Sequence, residues 1–110
     1  MGAGILTPKN LLKAQDLYQA AHHELVASAL ATKIGHEIDS ENKIGCMVLG
    51  LTSYPRTCNP DDAIATMEES KRGYFFTDIH MRGYYPSYAL KMMEKEGVVL
   101  DATDEDLEIL

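Results

Sequence analysis

Residues 18–38, YQAAHHELVASALATKIGHEI, and residues 43–55, KIGCMVLGLTSYP, decide the architecture of this chain. In the first stretch Tyr18, Ala21, Leu25 and Ala29, with Val26, Leu30 and Ile34 one step around, recur at three- and four-residue intervals and line one side of a helix with apolar groups. Thr7-Pro8 offers a start, because the hydroxyl can accept a free N–H and a proline at the first position needs none, and Gly35 offers an end, so the helix is expected near 8–35. In the second stretch Ile44 to Leu51 is continuously apolar with no alternation, the pattern of a strand covered on both faces in a parallel sheet. A lone strand leaves its backbone unpaired at roughly 1–3 kcal/mol per buried group, so half a dozen such groups cost on the order of 10 kcal/mol, about a domain's whole stability. The strand therefore demands neighbours that these residues do not supply.

Working outward, Asp39-Ser40-Glu41-Asn42 is a polar turn, and Asn59-Pro60-Asp61-Asp62 places an N-cap acceptor, a first-turn proline and two acids at the positive end of a helix near 60–79. That helix carries Ala63, Ile64, Met67, Tyr74 and Phe75, with Gly73 as its point of breaking or bending. Tyr85-Pro86 opens a helix near 86–96 with Tyr88, Ala89, Met92 and Met93 inside it and Gly97 behind it, and Thr103-x-x-Asp106 forms a capping box for a last helix near 104–110. The expectation is a mostly helical α/β chain with one parallel strand.

With 110 residues, 45% apolar and 25% charged, the chain suits one small globular domain. Its net charge of −7, with acids clustered from Asp101 to Glu108, repels a nucleic-acid backbone or an anionic membrane, and both are excluded as principal partners. The apolar run at Ile44 is too short to span a bilayer and the N-terminus lacks a charged-then-apolar leader, which points to the cytoplasm. Cys46 and Cys58 show no ligand or redox spacing and are expected as free thiols.

His22-His23-Glu24 is followed by Leu25, Val26 and Ala27, so the second imidazole of a zinc-binding H-E-x-x-H helix is missing. A metal-dependent hydrolase built on His22, His23 and His36 would need some other geometry, and ordinary helix histidines are the simpler account. Asp61-Asp62, Glu68-Glu69 and the acids after Thr103 fall at helix starts or on exposed helix faces, where capping and solubility explain them. No G-x-S-x-G, no cysteine with a paired histidine and no phosphate-cradling glycine loop is present. No metal or cofactor is expected. Thr52, Ser53 and Tyr54 lie behind Leu51, at the C-terminal end of the strand-like run where parallel sheets place their ligand-binding loops, against the plainer possibility that Tyr54 only packs on Pro55. The aromatic set Tyr74, Phe75, Phe76, Tyr84, Tyr85 and Tyr88 and the six methionines read as packing.

AAHHELVASALA at 20–31, KIGCM at 43–47, N-P-D-D at 59–62 and R-G-Y-Y-P-S-Y at 82–88 together resemble glycoside hydrolase family 1, and within it the bacterial 6-phospho-β-glucosidases. The opening MGAGILTPKN departs from that pattern. The resemblance implies a (β/α)8 TIM barrel, which takes roughly 250 residues. Residues 1–110 would be one central segment of it, a partial barrel from about the fourth helix to the start of the helix before the sixth strand, with Ile44 to Leu51 as the fifth strand. It also implies a retaining hydrolase of phosphorylated β-glucosides using two glutamates, one in T-x-N-E-P or T-x-N-E-I and one in E-N-G. Neither N-E-P, N-E-I nor E-N-G occurs here, so no catalytic residue is carried over, and only an aglycone-side substrate rim at Thr52, Ser53 and Tyr54 falls within the chain. The lone chain is expected to be inactive and to self-associate through its open strand edges. The alternative is a non-catalytic helical interaction module derived from the same family.

Overall fold

The computed structural model describes residues 5–50 and 52–110. Five helices follow one another: α1 (Ala14–Ile38), α2 (Pro60–Gly73), α3 (Phe75–Arg82), α4 (Ser87–Lys95) and α5 (Asp104–Ile109), with a 3-10 turn at Lys9–Leu11 ahead of them. The long helix does not start at Thr7-Pro8. Pro8 heads the 3-10 turn, Leu12 and Lys13 are extended, and α1 opens where the Lys13 N–H donates to the Asp16 carboxylate at 3.0 Å.

The far end of α1 also differs from expectation, because Gly35 lies inside the helix. The 39–42 turn closes it: Asp39 N–H and Asn42 Nδ2 both donate to the Gly35 carbonyl, at 3.2 and 2.9 Å, and His36 Nε2 donates to the Asn42 carbonyl at 3.1 Å. With its terminal carbonyl bonded this way the helix needs no left-handed residue. Gly35 serves a close approach instead, since a Cβ there would run into the Ile44 side chain as the chain turns back over α1.

Residues 43–50 form no strand and are exposed, with Leu49 at 80%. The buried strand expected over Ile44 to Leu51 is not shown among the described residues. A strand exists through bonds to a neighbouring one, and among the described residues no backbone segment pairs with this run. Leu51 lies outside the described residues.

The later elements follow the sequence closely. The Asn59 side chain accepts from Asp61 N–H at 3.1 Å to start α2, Tyr74 breaks the expected 60–79 helix into α2 and α3 just after Gly73, and Gly97 follows α4 with φ 69°, a left-handed geometry that glycine adopts without the strain an L side chain meets there. Thr103 and Asp106 form the expected capping box of α5. The core is small: Leu25 from α1, Phe75 and Ile79 from α3, and Ala89 from α4, with Tyr18, Tyr85, Tyr88 and Leu110 packed around them. Phe75 meets the Tyr18 ring edge-on at 5.7 Å. No described residue of α2 is buried, and Ile64 and Met67 stand more than half exposed. The radius of gyration is 16.2 Å, where a compact globule of this length measures about 13 Å.

Candidate functional site

None of Thr52, Ser53 and Tyr54 makes a side-chain hydrogen bond among the described residues; Thr52 and Tyr54 are exposed and Ser53 is half-buried. The chain continues into Thr57, whose hydroxyl donates to the Asp62 carboxylate at 2.6 Å and accepts from Asn59 N–H at 3.1 Å, so the end of this loop is tied to the start of α2.

The polar centre of the molecule lies elsewhere, at a residue whose sequence context reads as an ordinary helix histidine. His22 on α1 is fully buried, its Nδ1 lies 2.9 Å from the Tyr85 hydroxyl, and its Nε2 faces the Asp106 carboxylate at 3.7 Å. The imidazole and the phenol can each donate or accept at this contact, so the pair bonds in either ring tautomer. Burial pushes the Tyr85 phenol up to about 12. Asp106 is held below the usual carboxylate range, chiefly by the Thr103 backbone N–H at 2.9 Å and its hydroxyl at 2.7 Å, with a smaller contribution from His22. The 3.7 Å gap is too long for a hydrogen bond, so Nε2 stays unsatisfied. The constellation ties α1, the loop before α4, and α5 together, and nothing reacting can reach the sealed imidazole.

The other histidines read as candidate ligands are separately engaged: His23 Nε2 lies 3.0 Å from Gln19 Nε2, and His36 is spent on the turn after α1. His80 donates through Nδ1 to the Phe76 carbonyl at 2.8 Å and accepts through Nε2 from Ser28 at 3.1 Å, linking α3 to α1. Among the described residues no three His, Cys, Asp or Glu side chains cluster as a metal site would require, and no helix is long and apolar enough to cross a membrane. Cys46 and Cys58 are free and exposed.

Among the described residues, two of the clefts open against α1. One of 260 Å³ lies between α1, α3 and the end of α5, where Ser28, Thr32, Lys33, His36 and His80 border Leu25 and Ile79. The other, 420 Å³, is largely apolar, floored by Leu17, Tyr18, Phe75, Phe76 and Met92 and edged by Arg72 and Glu96. The first is bordered by no carboxylate side chain and the second by that of Glu96 alone, so neither supplies the carboxyl pair of a glycosidase. Thr52, Ser53 and Tyr54 border neither.

Sequence reasoning also missed a clamp. Gln15 and Gln19 each grip one residue of the segment after α4: Gln15 bonds Val99 N–H and C=O at 2.9 and 2.7 Å, and Gln19 bonds Asp101 N–H and C=O at 2.9 and 2.8 Å. Four helical residues rise about 6 Å and two extended residues about 6.6 Å, so the spacings match. The i, i+4 glutamines were visible in the sequence, but their partner was not.

Comparison with known proteins assigns the chain. It is 52% identical over 110 residues to a 6-phospho-β-glucosidase of Clostridium longisporum, covering all of this chain and 23% of that enzyme. The 6-phospho-β-glucosidase AscB of Escherichia coli K12 is 44% identical over 109 residues, 99% of this chain and 23% of that enzyme. The aryl-phospho-β-D-glucosidase BglA of Bacillus subtilis 168 is 47% identical over 108 residues, 98% of this chain and 22% of that enzyme. The chain thus spans less than a quarter of the length of these relatives. The model of glycosyl hydrolase family 1 matches residues 1–110, and with relatives this similar across the whole sequence, the chain belongs to glycosyl hydrolase family 1.

Proposed function

We propose that residues 1–110 are a central segment of a 6-phospho-β-glucosidase barrel, from about its fourth helix to the start of the helix before its sixth strand. The whole enzyme would be cytoplasmic and would hydrolyse phosphorylated β-glucosides with retention, without metal or cofactor. Ile44 to Leu51 would be its fifth strand, and Thr52, Ser53 and Tyr54 its aglycone-side rim. The observation that carries this reading is end-to-end similarity to phospho-β-glucosidases over less than a quarter of their length. The exposed apolar run and the bare face of α2 support it, because a barrel's remaining strands and helices would cover both.

The isolated chain is inactive in this reading, for it contains neither N-E-P, N-E-I nor E-N-G and so lacks both proton donor and nucleophile. Purified chain assayed with nitrophenyl 6-phospho-β-glucoside is expected to match the buffer blank. Turnover that a substitution in this chain abolishes would overturn the reading. Its open segment also makes it self-associate.

The second reading, a non-catalytic helical interaction module, is favoured by the sealed core around His22, Leu25 and Ile79. A compact monomer with a single cooperative melt would select it.

A further inference from the structure

One carboxylate oxygen at the start of α5 is approached from three sides. Asp106 Oδ2 accepts from the Thr103 N–H at 2.9 Å and from its hydroxyl at 2.7 Å, and His22 Nε2 stands off the same oxygen at 3.7 Å without a partner. The imidazole is fully buried, so chain lying outside this core cannot supply its missing bond. That bond has to come from within, by a proton on Nε2 and a movement of Asp106 towards it.

We propose that His22 and Asp106 form a proton-operated latch: a proton taken up at Nε2 draws the Asp106 carboxylate into hydrogen-bond range at the expense of a bond to Thr103, so that α5 exchanges part of its capping box for a clasp on α1. In the neutral ring, with Nδ1–H on the Tyr85 oxygen, Nε2 turns a lone pair to the carboxylate, and two acceptors hold apart. A proton from water, passing the Asp106 side chain that is 29% exposed, converts this repulsion into a charge-assisted bond of about 2.7–2.9 Å.

The groups facing the ring leave Asp106 to answer that charge. Tyr85, from the loop before α4, has its phenol raised to about 12 and stays protonated wherever an imidazole titrates. His23, next on α1, has its ring centre 5.7 Å from that of His22. From α3 and α4 come Phe75, Ile79 and Ala89, which do not titrate, and among the described residues Asp106 is the one carboxylate paired with His22.

The test follows the 13C,15N-labelled chain by NMR from about pH 8 to about pH 5, the window in which an imidazole changes charge. His22 is expected to pass from a protonated Nδ1 with a bare Nε2 to two protonated nitrogens. The Thr103 amide is expected to exchange about tenfold faster across that transition, after removal of the intrinsic pH dependence, as for one lost hydrogen bond. Its midpoint should match that of His22 and not that of His23. His22→Gln is expected to abolish the Thr103 change with the helical circular dichroism in place, and a change that survives the substitution overturns the latch. So does a folded chain in which His22 keeps a single proton throughout, carries it on Nε2 at the upper end, or gains a second while Thr103 stays protected. Should His22→Gln not fold, the shared midpoint in the parent chain decides.

Discussion

Gln19 grips Asp101 with both ends of its carboxamide, Nε2 donating to the carbonyl at 2.8 Å and Oε1 accepting from the N–H at 2.9 Å, across 82 positions of sequence. With Gln15 it makes a side-chain ladder that an extended segment can join without a neighbouring strand. Gln19→Ala is expected to cost about 1–2 kcal/mol, the net value of two hydrogen bonds. Amide hydrogen exchange checks it: the Asp101 and Val99 amides should lose protection while those in the middle of α1 keep theirs.

The buried imidazole gives the second prediction. Tyr85→Phe leaves His22 Nδ1 sealed and unpaired, at a cost of about 1–3 kcal/mol, whereas His22→Ala adds a cavity and should cost more, about 2–5 kcal/mol. Urea denaturation followed by circular dichroism measures both. Equal stability of the Tyr85→Phe variant and the parent would show that the hydroxyl contributes nothing.

Alkaline pH acts through the same pair. Tyr85 has a folded value of about 12, above its ordinary 10.0, so between those values the folded state binds more protons than the unfolded one. Its contribution is present in full below pH 10 and is lost as pH rises through the folded value. Melting temperature should therefore fall over this window, and less steeply in Tyr85→Phe.

Acid acts through Asp106, whose folded value lies below the ordinary carboxylate range. Its contribution is present above the unfolded value and disappears as pH falls through the folded one. Asp106→Asn should remove that dependence and fray α5, visible as lost nuclear Overhauser contacts between Leu107 and Thr103 with α1 intact.

Val48→Asp puts a charge into the uncharged run at 44–50. It is expected to weaken self-association in sedimentation equilibrium, and unchanged assembly would count against the role given to this run.

Local signals were decided by the sequence alone. Asn59-Pro60, Tyr85-Pro86, Gly97 and the Thr103-Asp106 box set the positions of α2, α4 and α5 because caps and prolines act within a few residues of themselves. The motifs at 20–31 and 82–88 likewise marked the family that the comparisons then established. Tertiary structure decided what depends on distant partners. It made Gly35 a contact for Ile44 instead of a helix end, buried His22 between Tyr85 and Asp106, and set the grip of Gln15 and Gln19 on residues 99 and 101. It also left residues 44–50 without strand geometry despite their strand-like composition. The physical reason is common to all four: a hydrogen-bond ladder, a buried ion-facing ring or a close backbone approach takes its energy from two places in the chain, and a sequence pattern records only one of them at a time.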